Sequence, residues 1–118
     1  MTPIDSTDYI GKQVKIVMDR PMGSLHPRFG DEYPVNYGYV PGTLSGDGAE
    51  LDAYVLGVEV PLDSFQGTCI AVIRRLDDDD DKLIVVPSGT NIDNETIRKL
   101  THFQEQYFES KIIRGTCN

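Results

Sequence analysis

Two acidic clusters interleaved with tyrosines are the residues of this sequence best suited to chemistry. Residues 33–52 read YPVNYGYVPGTLSGDGAELD, which sets Tyr33, Tyr37 and Tyr39 on one parity and then Asp47 and Asp52 five positions apart across a glycine-rich turn. Further on, Asp77 to Asp81 form an unbroken acidic run closed by Lys82. Carboxylates crowded together without enough bases either stay in water or hold hard cations, which take oxygen ligands. A charge run by itself usually marks a solvated loop. DDDDK also resembles a protease-cleavage tag, but the apolar LIVV follows at once. Asp47 lies between two glycines, where the backbone bends sharply and a ligand can approach closely. Asp52 opens an apolar stretch and is expected on a rigid element. A turn with a capping aspartate is the competing reading. A calcium loop of the EF-hand type is excluded, because Ala49 occupies its third position and no Glu closes it. Together with the tyrosines and Lys82, the acids suit phosphoryl chemistry. A divalent metal ion lowers the pKa of water and neutralises phosphate oxygens, a lysine holds the departing phosphate, and tyrosine hydroxyls donate to its oxygens.

The bulk properties narrow the partners. The chain has 118 residues, a net charge of −8 and two cysteines. That length organises one core, so residues 1–118 are expected to form one domain. The acidic balance opposes nucleic-acid binding, which needs Lys and Arg to displace counterions, but leaves small phosphates open where metal ions reverse the local sign. Cys69 and Cys117 form neither a disulfide framework nor a metal set. No apolar run is long enough to span a membrane, and MTPIDSTDYIG lacks the basic region and apolar core of a signal peptide. A cytoplasmic location with no membrane partner is expected, and a homo-oligomer stays open.

The elements that must hold these side chains follow from periodicity. Val14, Ile16 and Met18 alternate with Lys15, Val17 and Asp19, the pattern of a half-buried strand ending at Pro21. Residues 20–32 read as a loop, and Tyr33 to Tyr39 as an extended segment with an aromatic face. Residues 53–60, with Gly57 marking a bulge or a close approach, 68–73 and 83–86 read as further strands. Asp93 is placed to cap a helix, with Asn94 and Glu95 in its first turn. Ile97, Leu100, Phe103, Tyr107 and Phe108 recur at helical spacing as its apolar stripe. His102 falls on the polar face. About five short strands and one late helix predict a mostly β fold with α (α+β): a small five-stranded OB-like β-barrel with one C-terminal amphipathic helix.

At the tyrosine and aspartate residues the chain resembles the soluble inorganic pyrophosphatases of the Mg²⁺-dependent, barrel-fold type. Their signature has the form D-G-D-P-x-D after a segment like YPxNYGYxxxTLS. Here it stands as Tyr33 to Tyr39, Thr43-Leu44-Ser45 and Asp47-Gly48-Ala49-Glu50-Leu51-Asp52. The likeness runs on through KLIVVP at 82–87 and HFQEQYF at 102–108. It implies hydrolysis of inorganic pyrophosphate to two phosphates by metal-activated water. Asp47, Asp52, Asp77 and Asp80 would hold Mg²⁺. Lys82 and the tyrosines Tyr37 and Tyr107 would hold phosphate, with Arg20 and Arg28 as further cations. Asp19 resembles an acid lining the family's cavity, and His26 is either a loop residue or a phosphate contact. The chain departs from the pattern at Ala49, where the family has its middle aspartate, at Glu50, where it has proline, and at Phe108, where it has lysine. An N-terminal hairpin carrying Lys, Glu and Arg is replaced by DRPMGSLHPRFGDE. These departures leave two alternatives: a phosphate- and metal-binding protein that has lost the chemistry, or a hydrolase of a larger phosphoanhydride.

Overall fold

The computed structural model describes residues 6–25, 30, 32–42, 50–76 and 81–114. The alternating segments form β1 (Gln13–Arg20), β2 (Asn36–Val40), β3 (Leu51–Val55), β4 (Ser64–Arg75) and β5 (Asp81–Val86), followed by helix α1 (Asn94–Glu105) and β6 (Ser110–Arg114). A short 3-10 helix, Ser6–Tyr9, precedes β1. The strands run in the order β1-β2-β3-β5-β4, and β4 returns to β1, so five strands close a barrel as expected. Strand β6, which local periodicity does not announce, joins the outer part of β4 from Ala71 to Arg75. β4 is longer than its apolar run because its first residues pair with β1 and its later ones with β5 and β6.

The barrel has two apolar layers. Val14, Ile16, Ala53, Val55, Val72, Leu83 and Val85 fill its interior. Tyr37, Tyr54, Leu56, Ile73, Ile84 and Val86 form an outer layer, roofed by Ile97 with Leu100 and Phe103 of α1. β3 and β5 run parallel and are covered on both faces, which is why LIVV is continuous rather than alternating. Ile97 is fully buried, a burial worth roughly 1.5–3 kcal/mol. Closure demands glycine where strands approach closely. A Cβ at Gly38 would collide with the Val17 carbonyl, and one at Gly67 with the Val86 carbonyl.

Three expectations need correction. The third strand stops at Val55 rather than at 60, because Gly57 adopts φ +84° and turns the chain out of the sheet. The described residues after β1 up to Glu32 form a loop as expected, crossed by one isolated antiparallel bridge between Leu25 and Glu32. Asp93 does cap the helix, accepting from Thr96 N at 2.8 Å. The helix ends at Glu105, however, so Tyr107 leaves the apolar stripe and is 59% exposed. Thr101 and Glu105 are buried in its place. Finally, the alternation along β1 breaks: Met18 opposes Gly38, but Arg20 rather than Asp19 opposes Tyr37. A bulge inserts one residue and re-aims the side chains beyond it. Among the described residues no helix is long and apolar enough to cross a membrane.

Candidate active site

The outer face of the barrel collects the polar residues. Residues directly opposite in a ladder point to the same side of the sheet. Tyr39 lies opposite Asp52 across β2 and β3, and Asp52 lies opposite Lys82 across the parallel pair β3 and β5. This register joins two acidic-cluster neighbours thirty positions apart into one ion pair: Lys82 Nζ donates to Asp52 Oδ2 at 2.6 Å. The two ends differ in exposure, Lys82 at 3% and Asp52 at 31% of the side chain. A buried ammonium needs a partner, and Asp52 supplies it while facing water. Lys82 Nζ also lies 5.4 Å from the centre of the Tyr37 ring, a favourable cation–π arrangement.

Around Tyr37 the aromatic rings form a cluster. Tyr33 stacks on Tyr37 at 5.9 Å, Tyr54 lies 5.0 Å from Tyr37, and Phe103 of α1 meets Tyr33 edge-on at 5.2 Å. Burial raises the Tyr33 hydroxyl above its ordinary pKa, and the positive charge of Arg20 pulls it back. The β1 bulge therefore brings a guanidinium, rather than the carboxylate of Asp19, to the face that holds Lys82 and Asp52.

Beneath this layer lies a buried polar network. Arg75 on β4 binds Glu105 through Nε at 3.1 Å and Nη2 at 2.8 Å. The Tyr54 hydroxyl donates to Glu105 Oε2 at 2.7 Å and accepts from Gln104 Nε2 at 2.7 Å. Tyr33 donates to Gln104 Oε1 at 3.2 Å. Burial, and then the neighbouring Glu105 carboxylate, push the Tyr54 hydroxyl well above its usual pKa. Sequence reasoning missed Arg75, Gln104 and Glu105. A charged pair at the base of an apolar helix leaves no periodic signature, and only the turn count along α1 could have flagged Glu105 on the Ile97 and Thr101 side.

The expected site residues divide three ways. Asp52, Lys82, Tyr37 and Arg20 share one face. Tyr107 lies just beyond the helix end and is mostly exposed, and Phe108 beside it serves as a platform for Arg75, whose Cζ is 3.7 Å from its ring centre. Asp47, Ala49, Asp77, Asp80, His26 and Arg28 lie outside the described residues. Asp81, the last acid of the run, is held by Arg74 at 3.2 Å and by Ser6 Oγ at 2.5 Å. It ties the 3-10 helix to β5. As for a metal ion, Asp52 has the hard oxygen donors that a divalent cation takes. Among the described residues, though, no three His, Cys, Asp or Glu side chains gather to complete a set.

The family model for inorganic pyrophosphatase matches residues 8–113. The chain belongs to the inorganic pyrophosphatase family. An inorganic pyrophosphatase of Gluconobacter oxydans is 33% identical, with 82% of this chain and 68% of that protein covered. One of Mesorhizobium japonicum is 36% identical over 80% and 59%, and one of Saccharolobus solfataricus 39% identical over 65% and 54%. The chain thus spans between about half and two thirds of the length of these relatives. The crystal structure of an inorganic pyrophosphatase from Ehrlichia chaffeensis superposes with a TM-score of 0.68 at 20% identity, covering 94% of this chain and 88% of that one. That from Thermus thermophilus gives 0.62 at 20% identity, covering 98% and 87%. At such identities the likeness establishes the shared barrel. Members of this pyrophosphatase family are metal-dependent.

Proposed function

We propose that the chain hydrolyses inorganic pyrophosphate to two phosphates, using Mg²⁺ held by Asp52 together with Asp47, Asp77 and Asp80. The observation that carries this is the Asp52–Lys82 pair, a half-exposed carboxylate and a buried ammonium joined at 2.6 Å on a face shared with Arg20 and Tyr37. A divalent cation at such a site lowers the pKa of a water and neutralises phosphate oxygens. The chain's own residues do the rest. Lys82, held by burial and by the Tyr37 ring, offers a point charge to the phosphate that departs with the bridging oxygen. Asp52 is within reach of both this ammonium and water, so an incoming phosphate oxygen can replace it on Lys82 while the carboxylate turns to a cation. The Arg20 guanidinium, brought to the same face by the bulge, can take further phosphate oxygens. Water oxygen attacks one phosphorus as the P–O bond to the bridging oxygen breaks, and the two protons of the water end one on each product, so that pyrophosphate and water leave as two hydrogen phosphates.

A second reading is favoured by Phe108. Its ring is occupied by Arg75, a cation already committed to Glu105, so position 108 brings no lysine to the site. A pyrophosphate-binding protein without turnover would fit that loss.

Phosphate release from pyrophosphate with added Mg²⁺, after chelator treatment, and in Asp52→Asn tests the proposal. Turnover is expected to require Mg²⁺ and to fall by about a hundredfold or more in Asp52→Asn, the scale of losing one transition-state electrostatic group. Negligible rates in all three, with tight calorimetric binding of Mg²⁺ and pyrophosphate, would leave the binding protein instead.

A further inference from the structure

The aromatic floor beneath Lys82 comes from a strand that is not its neighbour. Lys82 lies on β5 and Tyr37 on β2, with β3 between them, yet the ammonium ends 5.4 Å over the Tyr37 ring. Neighbouring strands stand roughly 4.8 Å apart. The lysine chain therefore crosses β3, where it meets Asp52 at 2.6 Å. Two residues beyond Asp52 and on the same face, β3 sets Tyr54 opposite Tyr37. The two rings lie 5.0 Å apart, tilted by 54°, and Tyr54 is fully buried. Its hydroxyl donates to Glu105 Oε2 at 2.7 Å and accepts from Gln104 Nε2 at 2.7 Å, which ties it to the end of α1. Tyr33, the other tyrosine packed on Tyr37, is bonded to the same amide through Gln104 Oε1 at 3.2 Å.

We propose that Tyr54 is a positioning residue for Lys82: its ring, seated in the core, holds the Tyr37 ring where that ring receives the ammonium. Tyr54 acts through Tyr37, and its two ends do different work. The hydroxyl joins the buried Arg75–Glu105 pair and serves stability. The ring reaches Tyr37 and serves Lys82. Without the Tyr54 ring, Tyr37 loses the surface that fixes its tilt. The attraction of an ammonium for a ring depends on its lying over the ring face, so a Tyr37 ring free to tilt no longer holds Lys82, and Asp52 alone keeps the ammonium in place. The inference rests on the phosphate site proposed above and adds the residue that sets its lysine.

Nuclear magnetic resonance of the free protein tests this, because protons lying over an aromatic face resonate upfield. The Lys82 ε-methylene of the parent protein is expected upfield of its position in Tyr37→Leu, and equal positions in the two would overturn the inference at once. Tyr54→Leu and the longer Tyr54→Met both remove the ring, so either one that folds serves. In each the Lys82 signal should move to its Tyr37→Leu position, and kcat/KM for pyrophosphate should fall about tenfold or more, the scale of a misplaced catalytic group. Tyr54→Phe keeps the ring, so the Lys82 signal and kcat/KM should hold while the denaturant midpoint falls with the lost hydroxyl bonds. Adding Tyr54→Leu to Tyr37→Leu should cost no further rate, because both act through one contact. An unmoved Lys82 signal in the ringless variants, a loss in Tyr54→Phe as deep as in Tyr54→Leu, or additive losses in the double variant would overturn the inference. A parent protein that does not cleave pyrophosphate would sink the proposed hydrolysis instead, and the Lys82 signal would still decide the role of Tyr54.

Discussion

Lys82 and Asp52 show how much one contact decides. Removing a lysine from water is costly unless a carboxylate and an apolar floor receive it, and here Asp52 and the Tyr37 ring do so. The contact also makes the site responsive, because whatever takes Lys82 releases Asp52. Ala49 bears on the same chemistry at this scale. In the proposed hydrolysis, an aspartate at this place in the signature would be a carboxylate able to take a proton from attacking water, and the chain has alanine there. Ala49→Asp should therefore raise kcat for pyrophosphate by ~10² to 10⁴, the range for a positioned acid or base. Phosphate-release kinetics check this, and an unchanged kcat would mean that another group already holds that proton.

Helix α1 is fastened to the barrel by different forces along its length. Its start is held by the Asp93 cap and by Arg114 of β6, which donates to the Ile92 carbonyl at 2.9 Å and to Asn94 Oδ1 at 3.1 Å. Its middle buries Ile97 and Thr101, and its end turns charged Glu105 inward onto Arg75. Such a pair contributes little net stability compared with apolar residues of equal volume, but breaking it leaves a buried charge alone. Glu105→Gln should then cost about 3–5 kcal/mol in denaturant unfolding. Replacing both partners, Glu105→Leu with Arg75→Met, should recover much of that loss. If the single variant is as stable as the parent, the pair does not fasten the helix end. The cap, the stripe and the strand periods were legible because each depends on near neighbours in the chain. The inward Glu105 was not, since its partner lies thirty positions away on β4.

At the scale of the whole barrel, the thiol inside the wall sets an alkaline limit. Cys69 is fully buried, and burial pushes its pKa from 9.0 up to about 11. A raised thiol pKa favours the protonated form in the folded state, so the contribution is fully present below the unfolded value near 9.0 and is lost as pH rises towards about 11. Two units correspond to about 2.7 kcal/mol. Tyr54, pushed up by burial and by Glu105, acts in the same direction at still higher pH. Denaturant midpoints measured from pH 8 upward should fall steeply above about pH 9, and Cys69→Ala should flatten the first part of that fall. An identical alkaline profile in both proteins would exclude the thiol as its source.

Local patterns in the sequence determined the barrel class, the helix and its cap, and membership of a phosphate-handling family, because period, capping chemistry and a contiguous motif are all short-range properties. Even Asp52 and Lys82 were singled out from their neighbours alone. Only the tertiary structure decided that these two form one pair, since strand register across a parallel ladder joins residues that no local period relates. It also decided that Arg20 rather than Asp19 faces them, because a single inserted residue in β1 reverses every side chain beyond it. Tyr107, assigned to the packed stripe by spacing, was taken out of it by a helix that ends two residues earlier. The face where phosphate is proposed to bind is thus written in residue types, but assembled by register, a bulge and a helix end.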